Sequence, residues 1–429
     1  MPLLYDLGIG AYHAGIRLAA LWNPKAKAWV KGRAELWERL EAASPRLRGC
    51  LWMHCASVGE FEQGRPVLEA IKAQRPELPV LLTFFSPSGH EARKNEPLAT
   101  HVEYLPPDSP ANAQRLLRLV QPSAAIFVKY EFWYHHLHAL QSAKVPAFLV
   151  SALFRKEQPF FRWYGGAWRS MLGCFKGIFT QDDASRKLLQ GIGISRVAVG
   201  GDTRFDRVAA IAEANGELPL ARAFAGHGNV LVCGSTWPKD EELLAEALSG
   251  MGNGAPKCMA VPHELHEAQL AAIERDFPKP LARWSELEQS PVQSVEAMLG
   301  AAPQGTLLVD RMGLLARLYR YGSVAYVGGG FSDGIHSVLE AAAWGVPVIV
   351  GPRHKKFPEV QGLIEAGAGQ EVRNAAELQD ALQLWLNDPQ ALRRASEAAW
   401  QFVQQRRGGA GRVAGDIVAV LMASHGARC

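Results

Sequence analysis

From Cys50 onward, short apolar runs alternate with stretches of helical periodicity. The runs are LWMHCA (51–56), VLLTFF (80–85), HVEYL (101–105), AAIFV (124–128), PAFLVS (146–151), GIFTQ (177–181) and VAVGG (197–201), separated by segments such as RPVLEAIKAQ, NAQRLLRLVQ and DASRKLLQGI. Such alternation predicts parallel sheet with crossover helices, a doubly wound α/β domain. A second series follows: VLVCGS (230–235), KCMAVP (257–262), TLLVD (306–310), SVAYVGGG (323–330) and VPVIVGP (346–352), with EELLAEALSG, LHEAQLAAIERD and SVLEAAAWG among its helices. Between the two series, residues 209–229 break the pattern with Gly, Pro and small side chains and read as a connection. Two domains are therefore expected, 34–208 and 230–405, followed by a helical tail over 406–429 able to cross back to the first.

The amino terminus follows a different pattern. Over residues 3–22, Asp6, Gly10, His13 and Arg17 recur at steps of four, three and four, while Leu4, Leu7, Ala11, Ala14, Leu18 and Trp22 cover a separate face. This predicts an amphipathic helix. A charged Asp or Arg at mid-membrane would cost about 2.5–3.5 kcal/mol, which argues against a spanning segment. With Lys25, Lys27, Trp29, Lys31 and Arg33 just beyond, residues 1–33 read as a helix lying in a membrane interface with a basic segment for an anionic headgroup layer. A helix packed on its own domain is the alternative. No secretory cleavage site is visible.

Composition sets the remaining bounds. A chain of 429 residues exceeds what one core supports, so two domains fit its length. The net charge of +4 does not by itself indicate nucleic-acid binding. Six cysteines without a CxxC pair (Cys50, Cys55, Cys174, Cys233, Cys258, Cys429) suggest neither a zinc site nor a disulfide framework, so a reducing cytoplasm is the expected setting.

The segment 327–352, VGGGFSDGIHSVLEAAAWGVPVIVGP, runs from a buried-type strand through a glycine-rich loop into a helix expected to open near His336 or Ser337. Glycines let backbone approach an anion, and free N–H groups at a helix start attract phosphate. Glu340, about one turn in, would accept hydrogen bonds from the vicinal hydroxyls of a ribose. CGSTW (233–237), VPHELHE (261–267) and RMGLL (311–315), the last expected to start a helix at Met312 and Gly313, also follow strand carboxyl ends. That is where an open α/β sheet places its ligand. In the first domain, Glu60 of HCASVGEFEQGRPVLEAI (54–71) falls at a helix start, where it reads either as a general base or as a charge complementing the helix dipole.

SVGE (57–60), LLTFFSPSGHE (81–91), KYEFWYHHL (129–137), FTQDDASRKLLQGIG (179–193), GDTRFDRV (201–208), GSTWPKDEE (234–242), VPHELHE, RMGLLARLY and the glycine-rich segment, in this order and spacing, resemble the 3-deoxy-D-manno-oct-2-ulosonic acid (Kdo) transferases over nearly the whole chain. The resemblance implies a GT-B fold, two doubly wound Rossmann-like domains facing a cleft. It also implies a CMP-Kdo donor, a lipid A precursor as acceptor, inversion at the anomeric carbon, no metal ion or other cofactor, and a place on the cytoplasmic face of the bacterial inner membrane. The family's proposed base falls on Glu60. A second functional glutamate, in a motif written E-x-E-L-W-P, falls on Glu131, with Lys129, Phe132 and Tyr134 at the departing positions. CMP contacts fall on Ser235, Thr236, Met312, Gly313 and the loop from Gly334 to Glu340. Two departures bear on the phosphate: Pro262-His263-Glu264 stands for a common Pro-Arg-His, and His336-Ser337 for His-Asn. These variants resemble a Bacteroidetes-type branch. Ser57, Gly59, Ser88, Lys129 and Arg204 are weaker candidates for acceptor or carboxylate contacts, the two cations having surface ion pairing as their plain alternative. A two-lobed sugar-nucleotide epimerase, another GT-B transferase and a non-catalytic nucleotide-sugar sensor remain the competing readings.

Overall fold

The computed structural model describes residues 2–426 other than Asn215 and Asp333; Cys429 and the end of the expected tail lie outside them. The chain packs as two units, residues 1–207 with 407–429, and residues 208–406.

The first unit opens with α1 (Pro2–Ala19), α2 (Pro24–Gly32) and α3 (Leu36–Leu47). It continues through β1 (Leu51–Cys55), α4 (Val58–Gln74), β2 (Val80–Phe84), α5 (Pro87–Arg93), β3 (His101–Tyr104), α6 (Pro110–Val120), β4 (Ala124–Val128) and α7 (Tyr134–Ser142). β5 (Ala147–Ala152), α8 (Gly166–Gly173), β6 (Phe175–Thr180), α9 (Asp183–Gly191) and β7 (Val197–Val199) complete the alternation. Its seven strands pair in parallel in the order β3-β2-β1-β4-β5-β6-β7. β1, β2, β4 and β5 are buried at every position, which explains why they read as continuous apolar runs rather than alternating ones.

α10 (Arg204–Glu213) carries the boundary between the units, and α11 (Pro219–Ala225) lies within the second. The stretch read as a connection thus holds helical structure: Leu220, Ala221, Ala223 and Phe224 are buried. Small and apolar residues there serve helix packing rather than a linker. The second unit continues with β8 (Val230–Thr236), α12 (Pro238–Met251), β9 (Lys257–Pro262), α13 (Glu267–Asp276), β10 (Leu281–Arg283), α14 (Trp284–Leu287), α15 (Val292–Val295) and β11 (Thr306–Leu308). It ends through α16 (Leu315–Leu318), β12 (Val324–Val327), α17 (Leu339–Ala343), β13 (Val348–Val350), α18 (Pro358–Glu365), β14 (Gly369–Glu371), α19 (Ala375–Leu386) and α20 (Pro389–Gln404). Its sheet is also parallel and seven-stranded, in the order β10-β11-β9-β8-β12-β13-β14.

The last helix, α21 (Gly409–Gly426), belongs to the first unit. Val413, Ala414, Ile417 and Leu421 pack with Phe61, Val67 and Leu68 of α4 in the core on one face of its sheet. Asp206 fixes the entry to this helix by accepting from the N–H groups of Gly408 and Ala410 at 2.7 and 3.2 Å.

α1 docks through a narrow face on which Tyr5, Ile9, His13 and Ile16 are half-buried, while Asp6, Gly10 and Arg17 of the predicted polar stripe stay exposed. The Tyr5 hydroxyl donates to Asp108 at 2.6 Å, Asp6 meets His135 at 2.5 Å, and the His13 ring lies 5.4 Å from that of Trp29. Leu4, Leu7, Ala11, Ala14, Leu18 and Trp22, the predicted apolar face, are all exposed. The helix thus packs on its own domain, as the alternative has it, yet leaves that leucine-bearing face uncovered among the described residues. No helix among the described residues is long and apolar enough to cross a membrane. Lys25, Lys27 and Lys31 are exposed, but Trp29 is buried and the Arg33 guanidinium stacks on it at 4.0 Å. Those two side chains belong to the core of the unit, because Arg33 also donates to the carbonyls of Phe85 and Leu105.

Burial holds the imidazoles of His136, His90 and His13 below their ordinary value. Each is therefore neutral in the fold at pH values where the unfolded chain, titrating near about 6.5, has begun to take up protons. Their contribution is complete above that value and is lost as pH falls through the lower folded values. The thermal midpoint is expected to decline from pH 7 to 5.5, measurable by calorimetry; a level or rising midpoint over that interval would contradict the assignment.

Candidate active site

The strand order switches direction between β1 and β4 in the first sheet and between β8 and β12 in the second, where β11 is also inserted between β9 and β10. Crevices outside the strand carboxyl ends at such points are where doubly wound sheets bind ligands.

At the first switch point β1 runs into α4 through Ala56 and Ser57. Ser57 holds the N-cap position in extended backbone but makes no capping bond with its side chain. Its hydroxyl instead donates to Glu60, which sits half-buried in the first helical turn. The turn after β2 lies alongside: Ser86 donates its N–H to the Ala56 carbonyl at 2.9 Å, and a Cβ on Gly89 would stand 3.3 Å from Ser57 Cα. Gly59 and Ser88 are exposed on this edge.

Glu131 follows β4, on the other side of the switch. It is largely buried, and its Oε2 takes the Trp133 indole N–H at 2.7 Å and faces His54 Nε2 at 2.9 Å. His54 is fully buried on β1, its Nδ1 against the Thr83 carbonyl and hydroxyl at 3.1 and 3.0 Å. Two strands and a turn therefore hold one carboxylate oxygen. Lys129, at the start of that turn, has φ +67, a conformation that costs a non-glycine residue energy and that turn geometry must enforce. Its ammonium lies 5.4 Å from the Tyr130 ring centroid. Arg204 forks onto Asp202 at 2.6–3.1 Å, in line with the plain reading of that cation. His54 and Trp133 were not singled out from the sequence; the signal available was a histidine inside an otherwise apolar strand.

Because removing one partner of a buried hydrogen bond costs about 1–3 kcal/mol, His54→Leu is expected to destabilise the unit by about that amount in urea unfolding. His54→Gln, which retains a donor toward Glu131, should recover part of it. Equal losses in the two variants would mean that the imidazole acts only by filling space.

At the second switch point β8 ends in Ser235, whose φ is +53, and Thr236. Thr236 is buried and its hydroxyl donates to Glu241 at 2.9 Å, so this predicted donor contact is engaged inside the unit. The Trp237, His263 and His336 rings stack in series, with centroids 4.6 and 4.4 Å apart, and Trp237 Nε1 donates to His336 Nε2 at 3.3 Å. Burial, then the neighbouring His263, lowers the His336 pKa below its ordinary value. Two stacked imidazoles beside an indole form a flat, polar-edged wall that suits a base or sugar ring as well as a phosphate.

The glycine-rich loop is shaped by packing. A Cβ on Gly328 would lie 2.4 Å from the Ser235 carbonyl oxygen, and one on Gly330 would lie 2.5 Å from Gly351 Cα. Asp240, buried at the start of α12, ties the loop down: it accepts from the N–H groups of Gly329 and Trp237 at 2.8 and 2.9 Å and from the Tyr326 hydroxyl at 2.8 Å. The sequence reading missed Asp240, although PKDEE after a strand marks an acidic helix start.

The helix after the loop begins at Leu339, not at His336 or Ser337, and has five residues. The run 334–338 stays irregular because the His336 N–H returns to the Gly328 carbonyl at 3.2 Å. Glu340 is its second residue, half-buried, and Ser337 is exposed. Likewise, Met312 and Gly313 precede α16 rather than open it, and Gly313 has φ +82. Both are exposed at the end of β11, apart from the stacked rings but on the same sheet edge. Beyond β13, Arg353 donates its N–H to the Gly330 carbonyl and its guanidinium to the Ser332 carbonyl, with Lys355 and Lys356 exposed beside it. This positive charge next to the loop was also missed. The Tyr319 hydroxyl is buried beside Gly234 with no hydrogen-bond partner among the described residues.

Two doubly wound units, one presenting a helix-start carboxylate and the other a glycine-rich loop walled by imidazoles at the switch point, have the architecture of the GT-B class. Residues 33–207 match the family model described as 3-Deoxy-D-manno-octulosonic-acid transferase (kdotransferase). The chain is 30% identical over 340 residues to the 3-deoxy-D-manno-octulosonic acid transferase of Aquifex aeolicus, covering 77% of this chain and 84% of the relative. It is 28% identical over 423 residues to that of Bordetella pertussis, covering 92% and 95%. The chain belongs to the 3-deoxy-D-manno-octulosonic acid transferase family. Among solved structures, a UDP-GlcNAc 2-epimerase from Neisseria meningitidis superposes with TM-score 0.58 at 14% identity, covering 87% of this chain and 99% of that one. A glycosyltransferase from Rickettsia africae gives 0.54 at 11%, covering 87% and 98%. At such identities the likeness establishes the fold alone.

Proposed function

We propose that the enzyme moves Kdo from CMP-Kdo to a lipid A precursor, lipid IVA, with inversion at the anomeric carbon. The observation that carries this reading is Glu60 in the first turn of α4, at the switch point of the unit the family model covers, with the Ser57 hydroxyl bound to its carboxylate. In this reading Glu60 takes the proton from a glucosamine hydroxyl as the oxygen attacks the anomeric carbon, and CMP departs. Glu131, held by His54 and Trp133, positions the acceptor or the sugar carboxylate. In the second unit, Ser235, His263, His336 and the loop to Glu340 bind CMP, with Glu340 on the ribose and the cations from Arg353 to Lys356 meeting the phosphate or the Kdo carboxylate. A monophosphate leaving group carries less charge than a diphosphate, so no metal ion is required.

α1 is assigned to the cytoplasmic face of the inner membrane, its exposed leucines in the interface and Lys25, Lys27 and Lys31 over anionic headgroups. Purified protein given CMP-Kdo and lipid IVA in the presence of a chelator should release CMP and add Kdo to the lipid. Turnover of UDP-sugars with no lipid product would reject the assignment.

A further inference from the structure

A second exposed apolar surface lies in the first unit. Between β5 and the body of α8, Trp163 is 92% exposed, and Tyr164 and Trp168 are exposed with it. Their rings run edge to face, centroids 5.6 and 6.4 Å apart. The segment is braced rather than loose. Phe160 is buried against Phe132 and Phe154, Arg169 donates to the carbonyls of Phe160 and Arg162, and a Cβ on Gly165 would meet the Pro159 carbonyl oxygen at 2.1 Å. The fold thus fixes three aromatic rings in water with no covering element among the described residues.

The surrounding charge points to one kind of partner. From Arg155 to Arg169 the sequence has Arg155, Lys156, Arg162 and Arg169 against the single acid Glu157. Trp and Tyr amid Arg and Lys is the composition of a membrane–water interface, where amphipathic rings sit at headgroup depth and cations meet lipid phosphates. The segment is also continuous with the membrane-facing helix. The turn carrying Glu131 packs Phe132 on Phe160 at one end, and at the other Tyr134 and His135 receive Tyr5 and Asp6 of α1.

We infer that residues 155–169 form a second bilayer contact, in which Trp163, Tyr164 and Trp168 enter the headgroup layer of an anionic phospholipid surface and Arg155, Lys156 and Arg162 meet its phosphates. Two contacts flanking the Glu131 turn would hold this edge of the sheet at the lipid surface, since binding strength grows with the apolar area buried in the interface and with the cations that meet anionic lipid. The inference extends the membrane reading of α1, and its test needs neither donor nor acceptor.

Full-length protein is floated with vesicles of phosphatidylethanolamine and phosphatidylglycerol. Trp163→Ser/Tyr164→Ser/Trp168→Ser should lower the partition coefficient by roughly tenfold or more, and Arg155→Glu/Lys156→Glu should reduce the salt-sensitive part of binding, leaving the share carried by Lys25, Lys27 and Lys31. Trp400→Ser, at an exposed tryptophan of the second unit, serves as the control and should bind unchanged. If the triple variant loses thermal stability, Trp163→Ser alone decides, since that ring is almost wholly in solvent. Flotation of the aromatic variants like the parent overturns the inference. So does parental flotation combined with a selective loss of turnover on acylated acceptor in detergent, which would make the segment an acyl-chain subsite. A Leu4→Ser/Leu7→Ser/Leu18→Ser variant is run in parallel: if it binds as the parent while the loop variants do not, the reading of α1 fails and this one stands.

Discussion

Glu60→Gln is expected to lower kcat for Kdo transfer by roughly 10²–10⁴-fold, the range a positioned general base supplies. The amide has the size of the carboxylate and can still accept from Ser57, so the local geometry should survive. It cannot take a proton from a hydroxyl. Stability should change little, because a carboxylate in the first turn of a 17-residue helix gains only about 0.3–1 kcal/mol from the dipole. CMP affinity, which belongs to the second unit in this scheme, should be unchanged in calorimetric titration. Near-parental turnover in Glu60→Gln would reduce Glu60 to a helix-end charge and leave Glu131 as the remaining candidate base.

Gly328→Ala is expected to abolish CMP binding and to cost on the order of 1–3 kcal/mol in stability, the usual penalty for overpacking. The new methyl would meet backbone, not a flexible side chain: the Ser235 carbonyl oxygen at 2.4 Å and Thr236 Cα at 2.6 Å. Backbone cannot swing aside, so β8 and β12 would have to part at the switch point that holds the predicted donor residues. The loop's anchor on Asp240 would be displaced with them. Calorimetric titration with CMP and urea unfolding check the two parts. Full CMP affinity in a folded Gly328→Ala protein would show that the donor does not depend on this junction.

The site is an argument from particular residues, because this fold also serves epimerases and the architecture alone does not choose between chemistries. The choice of a transferase rests on family membership, on Glu60 and on the second unit's loop together. The exposed face of α1 adds a reason for a lipid-borne acceptor that a soluble sugar-nucleotide enzyme would not need.

Much of the architecture was legible along the chain. Strands buried on both faces must be apolar throughout, so LWMHC, VLLTF and AAIFV announce themselves, and the intervening 3.6-residue periodicity gives the crossover helices. The amphipathic split of α1 was legible for the same reason: periodicity assigns residues to faces. Which face would dock was not. Tyr5 and Asp6 find their partners at Asp108 and His135, residues distant in sequence, and only that pairing turns the leucines outward.

The helix starts expected at His336 and Met312 failed on similar grounds. A glycine loop that packs backbone on backbone and returns its N–H groups to its own carbonyls delays the helix to Leu339, and no local signal encodes that closure. The hold of His54 on Glu131, the grip of Asp240 on the glycine loop, and the stack of Trp237, His263 and His336 are likewise contacts between segments far apart in the chain. The sequence by itself determined the parallel α/β architecture, the glycine-rich segment and the helix-start position of Glu60, because these follow from local periodicity and backbone preference. The tertiary structure alone decided which polar groups meet at the switch points and which face of α1 is left to solvent, because those depend on the order in which the strands assemble.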